Sequence, residues 1–257
     1  MSKRERRLIV WANVVIVTGF CVWHFGVATL IALETRYVGW KFPVVKKIPV
    51  ELSDLSISNA PGQRLSRLGY EFEVPWEVDE ERTKQTGKTS IVIALRSENA
   101  IWFSRVPPKE LVSKFQALHK GDEATLKLVF GEDALKSDYS LIRLILEATP
   151  DQVTPLTPRS NAVAKSVFLL MKGIMVPAGG DTGIFRIANN DLHGFQYGDP
   201  QRRPKSIDVE IFSDSGGLAF LFVQREKGPA PAITQAEINR VIQSVRRVQE
   251  QDLSASR

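Results

Sequence analysis

The sequence predicts an α+β protein: an N-terminal transmembrane helix, then one mostly antiparallel sheet flanked by helices. Three observations carry that expectation. Leu8 to Leu33 is an apolar run of 26 residues without a charged side chain. Behind it, short segments alternate apolar and polar residues with the period of two of a half-buried strand. Between and after them the apolar spacing lengthens to that of amphipathic helices. The order strands, helices, strands, helix fits a mixed sandwich rather than alternating β–α units.

A bilayer's hydrocarbon core is ~30 Å thick and takes ~20 helical residues to cross. At ~1.5 Å per residue the run reaches ~39 Å, enough to span with tilt. Residues 1–7 then form a basic tail, 8–34 the expected span and 35–50 a neck bracketed by Pro43 and Pro49. Residues 51–250 are the expected soluble domain and 251–257 a frayed tail. Arg6, Arg7 and Trp11 at one end, with Tyr37 and Trp40 at the other, have the chemistry of the two membrane interfaces. A cleaved signal peptide would carry an apolar region of only ~7–15 residues. Lys3, Arg4, Arg6 and Arg7 lie tight against the run, whereas Arg36, Lys41, Lys46 and Lys47 are spread out. That asymmetry favours an N-terminus in the cytoplasm and a domain outside. Asn13, His24 and Ala28 fall near one helix face, a candidate surface for a homo-oligomer built through the span.

The formal charge of +5 divides into +6 over residues 1–47 and −1 over the rest. The positive excess belongs beside lipid headgroups. The near-neutral remainder lacks the basic footprint of a nucleic-acid binder, so nucleic acid is excluded as a partner. Cys21, the single cysteine, lies inside the run, which excludes an intrachain disulfide. With only His119 and His193 beyond the run, neither a metal nor another cofactor is expected.

Tyr70 to Val74 alternates and stops at Pro75. Ile91 to Leu95 and Ala100 to Ser104 flank an Arg-Ser-Glu-Asn turn and read as a hairpin. A helix begins near Lys109 with Leu111, Val112, Phe115 and Leu118 on one face. Asp138 is placed to cap a helix ending before Pro150, and a third helix runs from Ser160 to Met175. Gly183 to Ala188, Gly194 to Tyr197, Ile207 to Phe212 and Leu218 to Val223 are four more strands. Thr234 and Glu237 have the spacing of a capping box, with Ile233 and Ile238 as its hydrophobic staple. Ile238, Val241, Ile242, Val245 and Val248 continue the stripe.

Three fragments approach catalytic motifs without their context. Ser213-Asp214-Ser215-Gly216-Gly217 echoes a serine-protease nucleophile segment, but it sits where a hairpin turn belongs. Thr86-Gly87-Lys88-Thr89 lacks the earlier glycine and following helix of a phosphate-binding loop. Asp181 in Gly179-Gly180-Asp181-Thr182-Gly183 lacks the second aspartate an aspartic protease needs. Phe195, Tyr197, Arg202 and Arg203 combine aromatics and arginines in the way contact surfaces do, and are the expected partner-binding residues.

From Tyr70 onward, the element order and Tyr70-x-Phe72-x-x-Pro75-Trp76 resemble the PsbP-like antiparallel sandwich. The whole chain is similar to bacterial single-pass membrane proteins. The resemblance implies the bacterial cytoplasmic membrane and an accessory role, with no catalytic residues to carry over. The expected function is a non-catalytic binding or assembly module, anchored in the lipid bilayer and meeting another membrane or extracytoplasmic protein. The alternative is a membrane-tethered hydrolase with an unrecognised acid–base site.

Overall fold

The computed structural model describes residues 3–119, 122–177, 182–189, 192–213, 216–224 and 232–248, with side chains left undescribed at 3–13, 16–17, 20–24, 119, 189 and 192. The fold is mixed α+β with a large, mostly antiparallel sheet. Where the sequence suggests one domain over 51–250, the chain clusters into two compact units. One joins Met1–Ile48 to Val112–Asp181; the other joins Pro49–Leu111 to Thr182–Arg257.

The first unit is helical. Helix α1 (Lys3–Lys41) runs unbroken from the basic tail through the apolar run and seven residues into the expected neck. Among the described residues no helix is long and apolar enough to cross a membrane. Residues 8–13, 16–17 and 20–24 of the run have side chains outside that description. Helices α2 (Glu110–His119), α3 (Glu123–Phe130), α4 (Asp138–Glu147) and α5 (Arg159–Met175) follow. Phe115 of α2 meets Phe130 of α3 edge-on at 4.8 Å between ring centres, and Phe130 meets Phe168 of α5 at 5.6 Å. Leu118 points outward, at odds with the apolar face expected for it. Helix α4 is capped by Ser137, whose Oγ accepts from the Ser140 amide at 3.1 Å. Asp138, the expected cap, instead accepts from the Val112 amide at 2.9 Å and ties α2 to α4.

The second unit holds the sheets. Strands β1 (Val50–Glu51), β2 (Gln63–Arg67), β3 (Tyr70–Val74), β4 (Lys84–Gln85), β5 (Ser90–Ala94) and β6 (Ala100–Val106) come first. After the helical insertion come β7 (Ile184–Asn189), β8 (Leu192–Tyr197), β9 (Ser206–Ser213), β10 (Gly216–Val223), helix α6 (Gln235–Gln243) and β11 (Arg246–Arg247). Eight strands form one sheet in the order β1-β7-β8-β9-β10-β6-β5-β4, and three form a second, β11-β3-β2. Among the described residues only the short β1–β7 pair is parallel. Between the sheets lies the core: Phe72 of β3, Phe103 of β6 and Phe220 of β10 meet at 4.8–5.5 Å between ring centres. The inward stripe of α6, Ile238, Val241 and Ile242, closes it. The capping box at Thr234 and Glu237 forms as its spacing requires, and both staple residues are buried. Helix α6 ends at Gln243; Ser244 turns the chain and Arg246–Arg247 pairs with β3 rather than extending the stripe.

Candidate functional site

Strand β9 sends Ile207, Val209 and Ile211 into the core and turns Asp208 and Glu210 to the opposite face. On that face the neighbours are set by register: Tyr197 of β8 is paired with Asp208, and Phe195 with Glu210. On the other side Leu221 and Ala219 of β10 stand opposite the same two acids. The Tyr197 hydroxyl donates diagonally to Glu210 Oε2 at 3.3 Å. Burial raises the Asp208 carboxyl to about 6. Burial, then the charge of Asp208, raises Glu210 to about 7, against the lowering effect of the Tyr197 hydrogen bond. Tyr197 itself is pushed well up by burial and by both acids. Two acids two positions apart on a strand lie ~6.6 Å apart at their backbones, close enough to resist ionising together. A carboxyl that titrates near neutrality can exchange a proton with a bound group.

This acid pair escapes motif reading, although its signal is present. Ser206-Ile207-Asp208-Val209-Glu210-Ile211 alternates strictly, and the alternation places both acids on one face. Among the described residues no group of three histidine, cysteine, aspartate or glutamate side chains could hold a metal ion.

The first unit offers a second feature, an open groove of about 350 Å³ among α3, α4 and α5. Leu128, Phe130, Leu144 and Phe168 supply apolar walls, with Glu147 and Lys165 among the lining residues. Leu128 stands 81% exposed. In the same unit, Lys172 of α5 is wholly buried. Its ammonium donates to the carbonyls of Leu146 at 2.6 Å, Ala148 at 2.9 Å and Lys47. The first two are carbonyls at the C-terminal end of α4, where a cation is favoured. Burial lowers Lys172 to about 8. A residue that interrupts the apolar sequence of α5 is therefore the bolt between α4, α5 and the neck.

The expected contact patch is divided. Phe195 and Tyr197 are buried, because β8 lies inside the sheet with its intervening residue Gln196 buried as well. Arg202 and Arg203 are exposed on a short turn, where Asp199 pairs with Arg202 at 3.6 Å. The aromatics therefore do not join the arginines on one surface. Tyr37 and Trp40 are exposed, their rings 6.0 Å apart. Ala28 is completely buried. The side chains of Arg6, Arg7, Trp11, Asn13 and His24 lie outside the described residues.

The near-motifs keep their structural readings where they are described. Thr86 and Gly87 both donate backbone N–H groups to the Ser90 carbonyl in a β4–β5 turn. Ser213 and Gly216 face each other at the end of the β9–β10 hairpin, with 214–215 outside the described residues. Asp181 with Gly179 and Gly180 also lies outside them. No family model, no curated protein and no solved structure matches the chain.

Proposed function

We propose that the protein is a membrane-anchored binding or assembly module whose working surface is the α3–α4–α5 groove. The observation that carries the reading is that this groove belongs to the same compact unit as α1, the helix containing the apolar run. Its volume falls in the range of binding pockets, and its mix of apolar walls with a few polar groups suits an apolar side chain of a partner protein. The anchor is read from the 26-residue run, from its basic flanks and from the interfacial aromatics. The module then faces the extracytoplasmic side of a bacterial cytoplasmic membrane.

A photo-crosslinking residue at Leu128 of the full chain should trap one partner in intact membranes. The same residue at Leu118, exposed but not among the lining residues, should not. Equal trapping at both positions would sink the groove as the working surface. A phosphatase reporter fused after Arg257 should be active outside the cytoplasm. Activity only in the cytoplasm would place the module on the inner leaflet.

The second reading, a tethered hydrolase, is favoured by one observation: Asp208 and Glu210 share a face of β9 beside the Tyr197 hydroxyl, where burial raises Glu210 to about 7. Hydrolysis of an ester or glycoside, lost ~100-fold or more in Glu210→Gln with the fold intact, would establish it.

A further inference from the structure

The buried state of Ala28 says how deep the first unit reaches. Counted from Leu8, ~20 helical residues bring the far edge of the hydrocarbon core to the neighbourhood of Ala28. Counted back from Leu33, the core extends beyond Ala28 to the end of the run. In the second register Ala28 and Ala32 both lie within the core; in the first Ala28 marks its edge and Ala32 stands ~6 Å beyond, at headgroup level. At Ala32 this face of α1 is covered by the protein's own chain. Ala32 packs with Val153 and Ala162, and Ile31 joins them. Pro150 lies against Gly39 and Val153 against Ala32, so the chain descends along α1 toward the apolar run before α5 returns past Ala32 at Ala162.

Helix α5 leaves that level in a definite sense. Its start packs beside Ala32 through Ala162, whereas Lys172, near its end, reaches the Lys47 carbonyl. The end of α5 nearest the bilayer is thus its N-terminus, with the turn Val153 to Pro158 leading into it. That turn is pinned by Thr154 and Thr157, whose amide–hydroxyl hydrogen bond of 2.9 Å closes it. At its tip Leu156 is 79% exposed. Val163 of α5 and Leu30 and Leu33 of α1 are also exposed.

We propose that the Val153–Pro158 turn docks into the outer interface of the bilayer, with Leu156 entering the acyl boundary beside the anchor. This rests on the reading of α1 as the anchor. The occupant is lipid rather than a protein because Val153, at the start of the turn, packs on Ala32 of the helix read as the anchor. A closed turn with an apolar tip is a low-entropy insertion element, and rigid apolar groups favour the interface.

The full chain, carrying Cys21→Ala and Leu156→Cys, is labelled with an environment-sensitive fluorophore and reconstituted in phosphatidylcholine–phosphatidylglycerol vesicles. A second sample carries the label at Val15→Cys. The Leu156 label should shift its emission to the blue and lose intensity to headgroup-attached nitroxides more than to aqueous iodide. The Val15 label should be quenched by acyl-chain nitroxides. Iodide quenching at Leu156 with acyl quenching at Val15 would overturn the docking and leave the anchor standing. Iodide quenching at Val15 would overturn the anchor and the docking with it. A Leu156 label shielded from both lipid and aqueous quenchers would mean a protein covers the turn, which also overturns the proposal.

Discussion

Burial first, and then the charge of Asp208, pushes the Glu210 carboxyl up to about 7. The unfolded chain ionises near the ordinary 4.5 and the folded chain near about 7. Between those values the folded state binds more protons, so stability falls as pH rises. Asp208 adds the same sign over its lower window, from 3.8 to about 6. Glu210→Gln removes this slope. Urea unfolding should show the variant stabilised by on the order of 1–3 kcal/mol at pH 8 and much less at pH 5. A variant less stable than the parent at pH 8 would contradict the assignment. Lys172 makes a contrasting case, since its charge has three carbonyl partners. Lys172→Met leaves those acceptors buried and unpaired and should cost about 3 kcal/mol or more, read as a lower unfolding midpoint.

At the level of elements, β8 and β9 approach unusually closely at Gly194. A Cβ there would stand 2.2 Å from the backbone oxygen of Glu210. Gly194→Ala should therefore push the two strands apart, lowering stability by ~2 kcal/mol or more and shifting the Glu210 titration, measurable by NMR. The elements legible in the sequence are those with local causes. Tyr70 to Val74 alternates and ends at a proline, α5 has its apolar spacing, and α6 has its capping box. Strand β2 was not legible, because of its five residues only Leu65 is buried. Strand β11 is two exposed arginines whose pairing with β3 depends on the turn at Ser244. The acid pair had its alternation in plain view, but what makes it chemically distinct is burial, which pairing partners far along the chain impose. Phe195 and Tyr197 show the same limit in reverse. A polar neighbour, Gln196, suggests an exposed strand, yet Gln196 is buried and satisfied by the Gln235 side chain and the Gly198 carbonyl.

For the whole molecule, the division into units changes what counts as a removable anchor. Cutting the chain at Val50 deletes α1 and the Lys47 carbonyl, so the first unit loses the cover on Val153 and Ala162 and one partner of Lys172. The second unit keeps every strand. In a fragment of residues 50–257, hydrogen exchange should quicken in α5 by ~10-fold or more, while β9 and β10 stay protected as in the full chain. Equal protection of α5 in both would show that the helical unit stands without α1.

The unbroken course of α1 also fixes a depth stop. In the anchor reading proposed above, the cover that Val153 and Ala162 lay on Ala32 leaves Leu8 to about Phe25 as the stretch that lipid would wrap on every side. That stretch is ~27 Å long, slightly short of an average bilayer core. A thicker membrane cannot draw the helix further in without prising the first unit open, and a thinner one can be met by tilting. On that reading the protein would sort toward thin bilayers, and the bolt at Lys172 would feel membrane thickness as a load.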